Sequence, residues 1–349
     1  MSVKFDREDL ERLKELLCGA RRIVMTCHMS PDGDALGSTL AMRSLLKAMG
    51  KDARVVTPDE PPRTLRVLPG ARQVMAWSSF GQVAENTVNR ADLIICMDYN
   101  ALSRLSRLEN VVRNAPAPRV LIDHHKNPED MAMLTFSYPD MSSTCELTCH
   151  LLTAMGWGEY IDNDVATCLL GGIITDTGGF HYNSNSSDLY RVVATLMERG
   201  VDKDRLMRCL VGTRSASSMR LEAYALEKKM ELFADAHAAL ITLSRDELNS
   251  YEYRKGDTEG LVNRPLEIPG IAYSCYMREE EEYIKISMRS IGDFPVDLLC
   301  SRHYGGGGHL NAAGGEFHGT LQEAARIFRE NLEENKELIS PQTLEYADR

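Results

Sequence analysis

The chain has 349 residues, 43% of them hydrophobic and 26% charged, and 51 acidic against 40 basic side chains give a formal net charge of −11. This composition is typical of a globular protein and excludes a disordered chain, a collagen and a coiled coil. The negative net charge argues against a protein that binds nucleic acid through a broadly basic surface. A small anionic substrate in a local positive pocket remains compatible with this charge. At roughly 100–200 residues per domain, the length predicts two domains.

The N-terminus and the cysteines predict a cytoplasmic protein. The segment MSVKFDREDLERLKELL carries charges every few residues and lacks the apolar centre of a signal peptide. No apolar run approaches the ~18 residues that span a bilayer, so we expect no membrane association. The nine cysteines include no CxxC pair, which favours free thiols in a reducing compartment. Cys145, Cys149 and His150 could begin a zinc site, but the sequence offers no second group of cysteine or histidine ligands to complete it.

Strands alternate with helices along the first half of the chain. The apolar patterns predict helices at 6–18 and 35–49, and strands at 22–27, 53–57, 92–97 and 119–122. This order is typical of βαβ units, so we predict an α/β, Rossmann-like first domain with a parallel sheet over residues 1–200. In such sheets ligands bind beyond the carboxyl ends of the strands.

The second half changes character. Helical patterns between 187 and 230 predict a helical connector at 201–230. Strand patterns at 239–243, 271–277 and 283–288, a glycine cluster and a helix at 321–332 then predict a smaller α+β domain over 231–340. We expect the last ten residues to be a loose tail.

Three predicted strands of the first domain end in residues that ligate metals or transfer protons. The first strand leads into HMSPDGDALGS, a turn built by Pro31 and Gly33 in front of a helix N-terminus that favours anions. Because three strands of one predicted parallel sheet end in this way, we expect their side chains to share one edge of the sheet. The residues concerned are His28, Asp32 and Asp34, then Asp98, and then Asp123, His124 and His125.

Each of these residues also has a purely structural interpretation. Asp34 could be a helix N-cap and Asp32 a turn former, although a turn needs no histidine at position 28. The two histidines after Asp123 could be one metal ligand and one substrate contact, with the acid orienting an imidazole, or surface residues of a loop. Asp98 could cap a strand. Asp176, which precedes paired glycines, could be a lone acid before a turn.

Six of these positions together offer two imidazoles and four carboxylates without a thiolate. Such a set suits two divalent ions and favours Mn²⁺, with Mg²⁺ or Co²⁺ as substitutes, over structural zinc. Four aspartates offset the charge of two such ions. A bound phosphate therefore needs further hydrogen-bond donors from elsewhere in the protein. The six candidate ligands are His28, Asp32, Asp34, Asp98, His124 and Asp176.

The second domain supplies candidate hydrogen-bond donors for a phosphate group. In GGGGHLNAAGG, residues 305–315, successive glycines could expose several backbone N–H groups in an anion-binding nest, and His309 adds a side-chain donor. A flexible glycine hinge is the alternative. Arg289, in the segment SMRS, could bind a phosphate through two N–H groups or be an ordinary surface arginine. Neither a Walker A loop nor a GxGxxG turn after a strand is present.

With these motifs, the chain resembles the DHH phosphoesterase family, in the branch with a DHHA1 second domain that includes nano-RNases and pAp phosphatases. HMSPDGDA matches the HxxxDxD motif, Asp98 the isolated acid of the second motif, and Asp123–His125 the DHH motif. Asp176 matches the acid of the fourth motif. SMRS and GGGGHLNAAGG match the signature of the DHHA1 domain.

The resemblance implies two Mn²⁺ ions. His28, Asp32 and Asp98 would hold one, and Asp34, Asp98, His124 and Asp176 the other, so that Asp98 bridges them. It also implies that Asp123 orients a neighbour and that His125 contacts the scissile phosphate. Substrate contacts in the second domain would come from Arg289, Gly306, Gly307, Gly308 and His309.

The implied reaction is hydrolysis, by water activated between two metal ions, of short oligoribonucleotides of about two to five nucleotides, of pAp to AMP, or of both. A long strand or duplex would need a continuous basic track, which a chain of this charge does not suggest. The alternatives are a soluble phosphodiesterase for cyclic di-AMP or pApA and, after it, an exopolyphosphatase. A non-catalytic nucleotide sensor would be expected to lack ligands, and a homodimer stays open.

Overall fold

The computed structural model describes residues 3–212 and 214–348 and divides into two compact units, Met1–Thr213 and Arg214–Arg349. The first contains a parallel α/β sheet and the second a smaller, mainly antiparallel sheet, so the predicted fold class is confirmed. The segment predicted as a connector, 201–230, spans the division between the units. Every helix in the described part of the chain is too short or too polar to span a lipid bilayer.

All strands described in the first unit are parallel, in the sheet order β3-β2-β1-β4-β5-β6. Their bounds are β1 Arg22–Thr26, β2 Asp52–Thr57, β3 Met75–Ala76, β4 Leu93–Met97, β5 Arg119–Asp123 and β6 Leu134–Ser137. The short strands β3 and β6 were not predicted, because two and four residues at the sheet edges give little periodic signal.

Helices cover both faces of this sheet. They are α1 Arg7–Gly19, α2 Gly33–Ala48, α3 Trp77–Asn89, α4 Glu109–Asn114, α5 Thr144–Ala154, α6 Asn163–Asp176, α7 Ser187–Met197 and α8 Lys203–Leu210, with a 3₁₀ segment at Leu102–Leu108. Strand β4, LIICM, is buried along its whole length. Ile95 belongs to the core on one face of the sheet, and Ile94 and Cys96 to the core on the other. A continuous apolar strand of this kind is typical of a parallel sheet covered on both sides.

The strand order reverses direction between β1 and β4. From β1 the chain proceeds through β2 to β3 on one side, and from β4 through β5 to β6 on the other. At such a point the loops after adjacent strands diverge and leave a crevice at the carboxyl ends, where ligands of open α/β sheets bind. The loops that follow β1, β4 and β5 all begin there.

The second unit holds a sheet in the order β11-β12-β10-β9-β8-β7, antiparallel except for the pair β8 and β9. Its strands are β7 Met230–Phe233, β8 Ala238–Leu243, β9 Tyr273–Glu279, β10 Ile284–Ser290, β11 Gly307–His309 and β12 Ala312–Phe317. Its helices are α9 Ala216–Tyr224, α10 Arg245–Ser250, α11 Val296–His303, α12 Leu321–Glu330, α13 Leu332–Lys336 and α14 Pro341–Ala347.

The expectation of a loose C-terminal tail was wrong. Ser340 caps α14, and Pro341 occupies its first turn, where a missing N–H is tolerated. Thr343 is fully buried and accepts a hydrogen bond from the N–H of Asp293 at 3.2 Å. The N–H of Gly270 donates to the carbonyl of Ala347 at 2.7 Å. Long-range packing therefore holds the segment in place.

Candidate metal centre

His28 follows β1, and Asp32 forms the N-cap of α2. One oxygen of Asp32, Oδ1, accepts the N–H groups of Asp34 and Ala35 at 3.0 Å each, while its Oδ2 lies 3.6 Å from Nε2 of His28. Asp32 can therefore cap the helix and serve as a metal ligand at the same time, because each role uses a different oxygen. Nδ1 of His28 donates to the carbonyl of Met29 at 2.7 Å, so Nε2 is the nitrogen that faces the carboxylates.

Asp34 lies in the first turn of α2 and is completely buried. Its Oδ2 accepts the N–H of Thr144 at 2.7 Å and its Oδ1 that of Cys145 at 2.8 Å. These donors open helix α5, and a helix N-terminus stabilises an anion. Asp34 is thus not the N-cap of its own helix but is held by the start of another helix.

Asp98 is the residue after β4 and only 2% exposed. Its Oδ2 lies 3.5 Å from Nε2 of His28, and its Oδ1 lies 3.7 Å from Nε2 of His124. The Oγ1 of Thr144 donates to Oδ1 at 2.9 Å. Its backbone has a positive φ of 63°, which aspartate tolerates better than most residues. Asp98 therefore presents one oxygen to each of two imidazoles.

His124, after β5, lies on the other side of Asp98. Its Nε2 is 3.4 Å from Oδ2 of Asp176, the last residue of α6, and 3.9 Å from Oδ2 of Asp34. Its Nδ1 donates to the carbonyl of Met141 at 3.2 Å. As in His28, a backbone carbonyl selects the tautomer that leaves Nε2 available to a metal ion.

Asp123 and His125 form a separate pair beside these residues. Nδ1 of His125 donates to Oδ1 of Asp123 at 2.7 Å and lies 3.8 Å from Oδ1 of Asp98. Asp123 is fully buried, and its Oδ2 has no hydrogen-bond partner among the described residues. The geometry makes Asp123 a support for the ring of His125.

The electrostatics of the centre reflect its crowded carboxylates. Burial and the charges of Asp98 and Asp176 raise the pKa of Asp34 well above its usual range, despite its two N–H donors. Burial and the charge of Asp98 also raise the pKa of Asp176 to about 8. Burial alone would raise the pKa of Asp98 too, but the neighbouring imidazoles, above all His28, hold it well below its ordinary value.

The pKa values of two imidazoles are raised as well, but against the effect of burial. Burial lowers the pKa of His28, but its interactions with Asp32 and Asp98 outweigh burial and raise the pKa to about 11. Burial likewise lowers the pKa of His125, whereas Asp123 and Asp98 raise it above its ordinary value and the charge of Arg104 opposes that rise. These raised pKa values indicate a site whose negative charge favours cations.

The six predicted ligands fall into two groups of three, each with nitrogen and oxygen atoms within 4.8 Å of one another: His28, Asp32 and Asp98, and Asp34, His124 and Asp176. Asp98, His124 and His125 form a third such group, which sequence reasoning did not foresee. Imidazole and carboxylate donors without thiolate fit divalent ions such as Mn²⁺ or Mg²⁺.

Sequence reasoning also missed the residues that hold these ligands. Thr144 contacts both Asp34 and Asp98, and the carbonyl of Met141 orients His124. The available signal was the pair of serines before Thr144, because Ser143 caps α5 and a capped N-terminus marks free N–H donors. Nothing in the sequence indicated that those donors face Asp34.

In the second unit, Arg289 lies on β10 opposite Ala312 of β12. Gly307 and His309 belong to β11, so the glycine segment is one strand of a hairpin rather than a flexible hinge. The expectation of an open nest was wrong at Gly306, whose N–H donates to the carbonyl of Cys300 at 3.1 Å. Close packing explains this glycine, because a Cβ there would lie 1.9 Å from the carbonyl oxygen of Gly314.

Comparison with known proteins connects this geometry to a family. The DHH family N-terminal domain matches residues 22–173 and the DHHA1 domain residues 238–336. The bifunctional oligoribonuclease and PAP phosphatase NrnA of Thermus thermophilus is 31% identical over 301 residues, which are 85% of this chain and 84% of that protein. The cyclic-di-AMP phosphodiesterase GdpP of Bacillus subtilis is 25% identical over 92% of this chain and 49% of its own length.

Solved structures share the fold. An exopolyphosphatase-related protein from Bacteroides fragilis is 39% identical, with a TM-score of 0.94 over 97% of this chain and 99% of its own. RecJ of Thermus thermophilus, solved in complex with Mn²⁺, has a TM-score of 0.55 at 14% identity over 97% of this chain and 56% of its own.

These relatives, together with a parallel sheet whose switch point gathers histidines and aspartates, identify the chain as a phosphoric ester hydrolase with side chains suited to divalent metals. It belongs to the DHH/DHHA1 family of phosphoesterases and is of the nano-RNase and pAp phosphatase type.

Proposed function

We propose that this protein hydrolyses short oligoribonucleotides of about two to five nucleotides to nucleoside monophosphates, and pAp to AMP, with Mn²⁺ as its metal. The observation that carries the proposal is Asp98, whose two oxygens face two separate ligand groups. The likeness to NrnA of Thermus thermophilus, named an oligoribonuclease and PAP phosphatase, supports the choice of these two substrates.

In this proposal the groups of candidate ligands would divide between two ions. His28, Asp32 and Asp98 would hold one ion. The other would be held by Asp98 together with Asp34, His124 and Asp176. Mg²⁺ and Co²⁺ have compatible ligand preferences. Two such ions lower the pKa of water and neutralise charge on a phosphoryl group.

The protein's own groups then position the reaction. Backbone carbonyls hold the rings of His28 and His124 with Nε2 toward the carboxylates. Asp123 holds Nδ1 of His125, which leaves Nε2 of that ring to donate to a non-bridging phosphate oxygen and stabilise the charge that develops there. His125, Asp98 and Asp123 are therefore the proposed catalytic residues, with Asp123 acting through His125.

Substrate contacts in the second unit are proposed for one arginine, two glycines and one histidine. They are Arg289, Gly307, Gly308 and His309. A net charge of −11 supports selection of short substrates, because a long strand or duplex binds mainly through many basic contacts. Nine free cysteines, of which Cys18 is exposed, support a reducing compartment and hence the cytoplasm.

The test is a time course with 5′-labelled RNAs of two to twenty-four nucleotides and with pAp, in the presence of Mn²⁺. We expect nucleoside monophosphates from the shortest RNAs, AMP from pAp, and slow cleavage of the twenty-four-mer. Activity should vanish with chelator and return best with Mn²⁺. Full activity after exhaustive chelation, with no metal by elemental analysis, would rule out the metal mechanism.

A cyclic di-AMP or pApA phosphodiesterase is the second candidate, because GdpP is similar over nearly the whole of this chain. An exopolyphosphatase follows, on the likeness to the Bacteroides fragilis protein. The same time course therefore includes cyclic di-AMP, pApA and polyphosphate. A kcat/KM for cyclic di-AMP or polyphosphate above those for dinucleotides and pAp would replace the first proposal.

A further inference from the structure

Arg104 lies on the loop that follows β4, six residues after Asp98, in the 3₁₀ segment Leu102–Leu108. Its backbone carbonyl accepts the N–H of Met29 at 2.8 Å. Met29 is the neighbour of His28, and its own carbonyl holds the ring of that histidine. The backbone of Arg104 is thus attached directly to the loop that carries the first ligand group.

The other side of the same loop is attached to the segment after His125. The Nδ2 of Asn100 donates to the carbonyl of Lys126 at 2.8 Å, and the N–H of Glu129 donates to the carbonyl of Asn100 at 2.7 Å. Three hydrogen bonds, two of them between backbone groups, therefore place the Arg104 loop between the loop of His28 and the loop of His125. Rigid attachment on both sides is what a binding residue requires.

The side chain of Arg104 is exposed, and within residues 3–212 and 214–348 no hydrogen bond or ion pair occupies its guanidinium. Its positive charge acts on the ring of His125. The neighbouring Arg113 differs, because Glu109 and Glu129 pair with it. Arg104 therefore brings an uncompensated cation to a centre rich in carboxylates.

A phosphate substrate has a use for such a cation. The charges of two divalent ions are offset by the four aspartates that would bind them, so the phosphoryl oxygens need donors beyond the metals. A guanidinium offers two parallel N–H groups that match two phosphate oxygens. Arg104 supplies this geometry from the first unit itself.

We propose that Arg104 is a substrate-binding residue that contacts phosphate oxygens of the bound phosphoester. The inference deepens the proposed function, on which it rests for the nature of the natural substrate. It adds a phosphate contact to a unit for which sequence reasoning proposed only His125.

The test compares Arg104→Ala and Arg104→Lys with Arg107→Ala in the Mn²⁺-loaded full chain. Arg107 is the matched control, because it is exposed in the same 3₁₀ segment. The measurements are kcat and KM for pAp and for bis-p-nitrophenyl phosphate, the inhibition constant of inorganic phosphate, and the affinity for Mn²⁺.

For Arg104→Ala we expect kcat/KM for pAp to fall about ten- to hundredfold, which corresponds to loss of charged hydrogen bonds. The inhibition constant of phosphate should rise by a similar factor, Arg104→Lys should recover part of both losses, and Mn²⁺ affinity should not change. Arg107→Ala should stay within about twofold of the wild type.

Equal losses in Arg104→Ala and Arg107→Ala would overturn the proposal, because they would indicate general surface charge. Weaker Mn²⁺ binding in Arg104→Ala, or an unchanged inhibition constant of phosphate, would also overturn it. The phosphate measurement does not depend on the natural substrate. If the wild type hydrolyses only bis-p-nitrophenyl phosphate, the proposed function fails while the role of Arg104 is still decided.

Discussion

At the scale of single residues, Asp98 has the most demanding position. It is buried, its backbone has positive φ, and each of its oxygens faces a different histidine. A strand-end cap would need none of the imidazole contacts. The strain of a left-handed aspartate is typical of residues that function constrains.

We predict that Asp98→Asn lowers kcat by at least ~10³-fold, or ~4 kcal/mol at 1.36 kcal/mol per decade. Asparagine has the same shape and tolerates positive φ, so the change removes the charge without straining the backbone. The comparison variant is Asp32→Asn, which removes a ligand proposed for one ion only and should cost less. Steady-state kinetics of an Asp98→Asn protein within tenfold of the wild type would show that Asp98 is not the bridge.

The raised pKa values predict that protons compete with metal. After metal removal by chelation, Asp176, with its pKa of about 8, and His28, with its pKa of about 11, hold protons at neutral pH. Metal binding must release those protons, so affinity for Mn²⁺ should rise as pH increases from about 6 to 8 and beyond. The sign follows because lower pH favours the protonated, metal-free ligands.

Calorimetric titration of the stripped protein with Mn²⁺, in buffers of different ionisation enthalpy, measures this proton release directly. Asp176→Asn is the control, since it removes one titrating ligand and should reduce the number of protons released. A dissociation constant that is independent of pH, with no proton release, would contradict the prediction.

At the scale of elements, the close approach of α2 and α6 shapes the centre. A Cβ on Gly172 of α6 would lie 2.2 Å from Sγ of Cys145 and 2.9 Å from Oδ1 of Asp34. A Cβ on Gly33 of α2 would lie 2.3 Å from Oγ1 of Thr175. These glycines let the two helices meet, so that Asp34 at the start of one comes near Asp176 at the end of the other.

We predict that Gly172→Ala destabilises the protein by about 1–3 kcal/mol, the usual cost of overpacking a buried site, and weakens Mn²⁺ binding by displacing Asp34. The control is Gly19→Ala at the end of α1, where a Cβ would meet nothing within 4 Å. Denaturant unfolding and metal titration measure the two effects. Wild-type stability in Gly172→Ala would mean that the helices separate without cost.

At the scale of the whole molecule, our proposal assigns metal binding to the first unit and substrate contacts to the second. The first carries the ligand groups, and the second carries Arg289 and the hairpin of β11 and β12. Binding of remote parts of a substrate contributes to the transition state as well as to affinity. Contacts made by the second unit should therefore affect a nucleotide more than a small generic ester.

We predict that Arg289→Ala and His309→Ala reduce kcat/KM for a dinucleotide strongly but spare bis-p-nitrophenyl phosphate. Lys285→Ala is the matched control, since Lys285 is exposed four residues earlier on β10. Kinetics on both substrates separate the two roles. If both variants lose the generic ester as severely as the dinucleotide, the second unit takes part in the chemistry.

The sequence by itself determined the four central strands of the first unit and their alternation with helices, and also the histidines and aspartates that follow β1, β4 and β5. Apolar periodicity and the residue after each strand are local properties, and a parallel sheet brings the ends of its strands to one edge. Which oxygen faces which imidazole was decided only by the tertiary structure. Asp34 meets the start of α5 across 110 residues of sequence.

The same distinction explains the errors. The glycines at 305–308 indicated flexibility or an open nest, because a strand of glycines has no side-chain pattern, and only pairing with β12 made them a hairpin. The C-terminal helix and the position of Arg104 likewise depend on contacts with residues distant in sequence. The residue types suited to the chemistry can be recognised in the sequence. Their distances and hydrogen-bond partners depend on packing between segments that lie far apart in the sequence, and no local pattern indicates that packing.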